Sequence, residues 1–259
     1  MGGGLIARDG HRESAQAEAG LALLFPAGSR ATVEDVERIL AQPDAGKTAR
    51  ISSQRARGEG WLELLASGLT FDLAGLAPEP ALQAPGPRHV FGLPRDAGTF
   101  DLESIVLLPG PHLAGAGAMV PVVRAMAVLA SALARGLGAL AVCWQPAGSW
   151  MDVQYFARIV ESWSAGGAFP ALGLTGIERM ADGGVESDGL AFFIGQELWV
   201  EARGGEAASD TVKLAVRMVD HLIREGPVKA REALTGPDGE ALVAEPSGDG
   251  RFVRLRRDA

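Results

Sequence analysis

The sequence holds one cysteine (Cys143), four histidines, one tyrosine and three lysines in 259 residues. A single cysteine excludes an intrachain disulfide framework, and with so few histidines soft metal ligands are scarce. No Gly-x-Ser-x-Gly elbow and no His-Glu-x-x-His occurs, so two common hydrolytic constellations are absent. The longest apolar region, 113–144, is divided by Arg124 and Arg135 and broken by Gly136 and Gly138. It therefore lacks the run of about 20 apolar residues that crosses a bilayer. The first residues, Met1-Gly2-Gly3-Gly4-Leu5-Ile6, show no basic-then-apolar export signal, and Ile6 stands where a myristoylation signal needs Ser or Thr.

What is present is the balance of a globular protein: 47% hydrophobic and 22% charged, with a net charge of −8. The acidic sum, with a pI near 5.1, argues against a general nucleic-acid or anionic-membrane binder. The basic clusters, Lys47, Arg50, Arg55 and Arg57 and the tail Arg251, Arg254, Arg256 and Arg257, lack the interleaved aromatics that stack bases. Only three of the 24 basic residues are lysine, and Ala and Gly are heavily used. That bias points to a GC-rich bacterial genome and, with no disulfide and no export signal, to the cytoplasm.

Along the chain, 1–19 reads as a flexible arm. Leu21 to Phe25 reads as a buried strand, and Thr32-Val33-Glu34-Asp35 opens a helix in the manner of a capping box. Residues 45–58 are polar without an apolar period. Trp61 to Leu65 and Leu69 to Leu73 form a hairpin about Ser67-Gly68. Pro78, Pro80, Pro85, Pro87 and Pro94 mark 77–98 as a linker between a smaller N-terminal α+β portion, 20–76, and a larger one, 99–259. Beyond it the reading is a strand over 105–108, a buried helix over 117–135 and a strand over 139–144. A helix capped by Asp152 follows, then strands over 171–177 and 190–202. Ser209 opens an amphipathic helix with Val212, Ala215, Val216, Val219, Leu222 and Ile223 on one face, and two short strands close the chain.

The expected class is α+β, a two-layer sandwich of a mixed sheet with helices on one face. The two strand–helix–strand units could be degenerate copies, although no residue identity links them.

Several residues carry chemistry worth weighing. Gly46-Lys47-Thr48 ends like a phosphate loop, but Ala41 replaces the required first Gly and no strand precedes it. Cys143 sits in a fully apolar strand, the setting of an inert thiol. His112 follows Pro109-Gly110-Pro111 at a strand exit, a place where catalytic groups are displayed. Glu197, Trp199 and Glu201 alternate on one strand face, placing two carboxylates about 7 Å apart. Such a pair could serve acid–base chemistry or bind a cation, and a solvated face explains it equally well. Trp144, Trp150 and Trp163 cluster in sequence, with Trp163 reading as core and Trp150 as the one partly exposed and open to a partner. His112, Trp150, Glu197 and Glu201 are thus the candidate binding residues. No metal ligand set and no cofactor is indicated.

The segment Asp188-Gly189-Leu190-Ala191-Phe192-Phe193-Ile194-Gly195-Gln196-Glu197-Leu198-Trp199-Val200-Glu201, with Phe169-Pro170-Ala171-Leu172-Gly173-Leu174 before it, resembles the bacterial domain-of-unknown-function family four-two-six-one. Ala139 to Trp144 is similar to that family's apolar strand ending in an aromatic. The likeness covers about 139–245, and Ile194 departs from the family's tighter aromatic-Gly pairing. It implies a soluble bacterial α+β module and carries no catalytic residue across. The expectation is a non-catalytic cytosolic interaction or regulatory protein with a protein partner. The alternative is a hydrolase-like or small-molecule-binding enzyme with a site near His112 and Glu197.

Overall fold

The computed structural model describes residues 20–42, 49–54, 59–113, 115–205, 207–236 and 238–258. The expected arm 1–19, the Gly46-Lys47-Thr48 loop, Arg55 and Arg57 lie outside the described residues.

The first half of the chain builds one sheet. Its strands are β1 (Leu21–Pro26), β2 (Ala49–Gln54), β3 (Trp61–Ala66), β4 (Leu69–Ala74), β5 (Leu82–Gln83), β6 (His89–Phe91), β7 (Leu102–Pro109), β8 (Ala141–Trp144) and β9 (Ser149–Asp152). They run in the order β2-β3-β4-β7-β1-β8-β9-β6, with β5 pairing β7 as well. β1 lies at the centre because its residues 21–25 are wholly apolar and buried on both faces. β3 and β4 pair about Ser67 and Gly68, whose φ angles of 51° and 79° give the tight turn that matches strand twist. All pairs are antiparallel except β6 with β9.

Three helices pack on one face: α1 (Val33–Leu40), α2 (Val120–Leu137) and α3 (Val153–Ser164). The Thr32 hydroxyl accepts from the Asp35 N–H while the Asp35 carboxylate accepts from the Thr32 N–H at 2.9 Å, closing the box that fixes where α1 begins. The Asp152 carboxylate accepts from the N–H groups of Gln154 and Tyr155 and starts α3 likewise. By length and composition α2 could cross a membrane. Here it packs against α3, α1, β1 and β7, with Val123, Met126, Leu129 and Leu133 fully buried. Its polar edge is half-exposed, and the Arg124 guanidinium lies 4.7 Å over the Trp163 ring.

A second sheet follows: β10 (Gly176–Arg179), β11 (Val185–Asp188), β12 (Glu197–Val200), β13 (Glu232–Thr235), β14 (Ala241–Pro246) and β15 (Phe252–Arg257), in the order β10-β11-β12-β15-β14-β13. β12 and β15 are parallel, so both sheets are mixed. The long helix α6 (Ala208–Glu225) covers it with Thr211, Leu214, Ala215, Met218, Val219 and Leu222, leaving Val212, Val216 and Ile223 only half-buried. The class is α+β as expected, built on two mixed sheets.

Three local readings change. Residues 171–177, read as one strand, form the single-turn helix α4 (Ala171–Leu174) before β10. Residues 190–202, also read as one strand, divide into the single turn α5 (Ala191–Ile194) and β12. Finally, the proline-rich 77–98 supplies β5 and β6 to the large sheet, and strands from both sides of it pair directly, as β4 does with β7. This segment lies against the face that the helices leave uncovered. There Ala22, Leu24, Leu102, Ala141, Cys143 and Trp150 form a smaller apolar layer, packed by Ala84 and Leu93.

Trp150 belongs to that layer and is 2% exposed, which corrects its reading as an open aromatic. Its indole N–H donates to the Pro85 carbonyl at 2.8 Å, so the ring ties the proline-rich cover to β9. Trp150→Ala is predicted to destabilise the fold by about 3–5 kcal/mol, measured by urea denaturation. Trp150→Phe, which keeps most of the volume and orphans one carbonyl, should cost about 1–3 kcal/mol.

Candidate functional site

Glu197 is the most informative of the four candidates. It opens β12, where β11 has begun to diverge, and its carboxylate turns into the loop ahead of it. There it accepts from the Ser187 hydroxyl and from the N–H groups of Gly189 at 2.8 Å, Leu190 at 3.1 Å and Ala191 at 3.0 Å. The Ser187 hydroxyl in turn accepts from the Leu198 N–H at 2.8 Å. Burial pushes the Glu197 carboxyl above its ordinary range, against the pull of these donors, and the neighbouring Asp188 charge adds to the rise. The carboxylate satisfies N–H groups that the first turn of α5 leaves unpaired.

That turn has a reason to be fixed. Gly189, at φ 91°, brings the backbone so near the β8–β9 turn that a Cβ there would lie 2.8 Å from the Ala147 side chain. Phe192 and Phe193 of α5 then reach Trp144 of β8, with ring centroids 5.2 and 6.0 Å apart. Phe193 also meets Phe169 at 5.2 Å, and Phe169 meets Trp163 at 5.5 Å.

Glu201 lies just past β12 and has a separate partner. Its carboxylate accepts from the Arg254 guanidinium, which also covers the Trp199 ring at 4.8 Å. The alternating face of Glu197, Trp199 and Glu201 therefore divides between two networks, one inside a loop and one on the sheet surface. His112 is elsewhere: it is exposed, in a short turn after β7 that packs against β4. Cys143 is fully buried, and burial pushes its thiol up to about 12.

A cavity of about 370 Å³ opens among Phe169, Val216, Asp220, His221, Arg224 and Leu234, between α6 and β13. A second, about 430 Å³, lies at Trp61, Gly75, Glu79 and Leu82. Neither contains His112, Trp150, Glu197 or Glu201.

The structure also assembles a group that sequence spacing did not show. His89, at the start of β6, places Nε2 3.1 Å from Asp188 Oδ2 at the end of β11. Arg88 reaches the same oxygen with Nε at 3.1 Å. Glu178 of β10 stands beside them. His89 and Asp188 are 99 residues apart, so no local pattern announces the pair. The hint in the sequence is an Arg-His dipeptide in a proline-rich stretch.

No family model matches this chain, and neither a curated protein nor a solved structure gives a match.

Two outcomes follow from this geometry. Because the folded pKa of Glu197 is raised, its contribution to stability is greatest below the unfolded value near 4.5 and declines as pH climbs toward the folded value. The stability difference between wild type and Glu197→Gln should therefore shrink as pH rises through that window. Near neutrality Glu197→Gln should still cost about 1–3 kcal/mol, since an amide cannot accept all four donors; chemical denaturation at a series of pH values measures both. Cys143 should resist a thiol reagent in the native protein at mildly alkaline pH and react fully on unfolding.

Proposed function

We propose that this protein is a non-catalytic interaction or regulatory module of the bacterial cytoplasm, and that its partner is another protein. The observation that carries the reading is the use made of Glu197. The half-buried carboxylate best suited to acid–base work instead accepts four hydrogen bonds and holds the β11–β12 loop, whose aromatic side chains pack on the large sheet. An acid or base in catalysis needs a lone pair or proton directed at a reacting atom, and this group directs its oxygens at three backbone N–H groups and the Ser187 hydroxyl.

The competing reading, a hydrolase-like or small-molecule enzyme using His112 with Glu197, gains nothing from the two cavities described above, since neither contains His112 or Glu197. The likeness of 139–245 to family four-two-six-one remains part of this proposal and agrees with a soluble α+β module. Support for a protein partner comes from the cover over the large sheet. Leu82 and Val90 of the cover, with Phe100 just beyond it, are each more than a third exposed, and these are the apolar side chains on that side that a partner would cover.

The test pairs a tagged full-length protein with the charge-bearing variants Leu82→Asp and Phe100→Asp. The reading expects a protein recovered in fixed ratio with wild type from the native bacterium, confirmed with purified components, and weakened at least about tenfold by one of the variants. Turnover in a hydrolase substrate panel, lost in His112→Ala with the fold intact, would overturn it.

A further inference from the structure

We infer that His89, Glu178 and Asp188 form a binding site for a divalent first-row transition cation that bridges the two sheets. This goes beyond the interaction reading and does not rest on it.

The placement follows from strand register. In the β10–β11 hairpin Gly176 stands opposite Asp188, and Glu178 opposite Glu186. Side chains two apart on a strand, and those directly opposite across a pair, share one face. Glu178, Glu186 and Asp188 therefore project from the same side of the hairpin as Gly176. The missing side chain at Gly176 makes the room: a Cβ there would lie 1.9 Å from His89 Nε2. The imidazole of β6 fills that space and arrives beside the carboxylates, with only 10% of its side chain exposed.

The ligand atoms of His89, Glu178 and Asp188 all lie within 4.8 Å of one another. Around a bound cation at about 2.1 Å, neighbouring ligand atoms sit about 3–3.5 Å apart. His89 and Asp188 already meet that spacing at 3.1 Å, and Glu178, on an exposed position, needs only a change of rotamer.

The donor set fixes the class. One imidazole with two carboxylates suits zinc or manganese, whereas magnesium and calcium prefer oxygen alone and gain nothing from His89. Arg88 opposes the ion, since its guanidinium shares Asp188 Oδ2. A cation would displace that contact and take over its role, joining β6 of the large sheet to the β10–β11 hairpin of the small one.

Calorimetry with Zn²⁺ on the full chain tests the assignment, with Co²⁺ absorption as a second readout of ligand type. One ion should bind per chain and raise the melting temperature, as any ligand of the native state does. His89→Ala and Glu178→Gln should each weaken binding at least about tenfold and remove the Co²⁺ bands. Glu178 is exposed, so its variant keeps the fold even where His89→Ala loses it. Arg88→Ala should leave binding intact and tighten it by up to about fivefold. Equal Zn²⁺ affinity in wild type and Glu178→Gln would place any bound ion elsewhere and overturn the site. Weaker binding in Arg88→Ala, or Mg²⁺ binding as tightly as Zn²⁺, would overturn it equally.

Discussion

The packing of Phe192 and Phe193 on Trp144 is the contact on which the arrangement of the two sheets depends. Trp144 ends β8 of the large sheet, and the two phenylalanines sit on the single turn α5 that precedes β12 of the small one. A turn of four residues has little stability of its own, because nucleating a helix fixes several torsions for few hydrogen bonds. Glu197 supplies what the turn lacks by accepting from the N–H groups of Gly189 and Ala191. The polar core of the loop and the aromatic core of the junction are thus one construction.

The same economy governs the second face of the large sheet. Helices α1, α2 and α3 cover one side, and the proline-rich segment covers the other. Proline suits that task because its fixed φ lowers the entropy lost on ordering an extended chain, and it has no N–H that would need an acceptor. Trp150 fastens the cover through Pro85, and Arg30, nearly buried, fastens its start by donating to the Gly75 and Glu79 carbonyls and to the Glu103 carboxylate. The cover continues into β6, which is how His89 is delivered to the β10–β11 hairpin.

Sequence patterns were most legible where a segment's neighbours in the chain are also its stabilising partners. Thr32 with Asp35, Asp152 ahead of α3, and Ser67-Gly68 between β3 and β4 are local constructions, and each is found where its residues suggest. The runs 171–177 and 190–202 misled for a physical reason. A short apolar stretch has the same composition whether it forms a buried strand or one turn of helix, and only the aromatic junction decides between them. The polar or proline-rich strands β2, β5, β6 and β13 carry little signal, since each is an edge or a short addition stabilised by its neighbour's hydrogen bonds. Of the candidate residues, Glu197 was visible as a carboxylate on a strand, but its role as a loop cap was not. His89 carries no local ligand spacing, because its partner lies 99 residues away.

By itself the sequence determined the α+β class, the starts of α1 and α3, the burial of Cys143 and Trp163, and the poverty of ligands for disulfides and soft metals. Those properties follow from composition and from forces acting over a few residues. Tertiary structure alone decided that 77–98 covers a sheet, that Trp150 is buried, that Glu197 serves backbone, and that His89 meets Asp188. Each of these depends on strand order, and strand order is set by the joint burial of surfaces far apart in the chain.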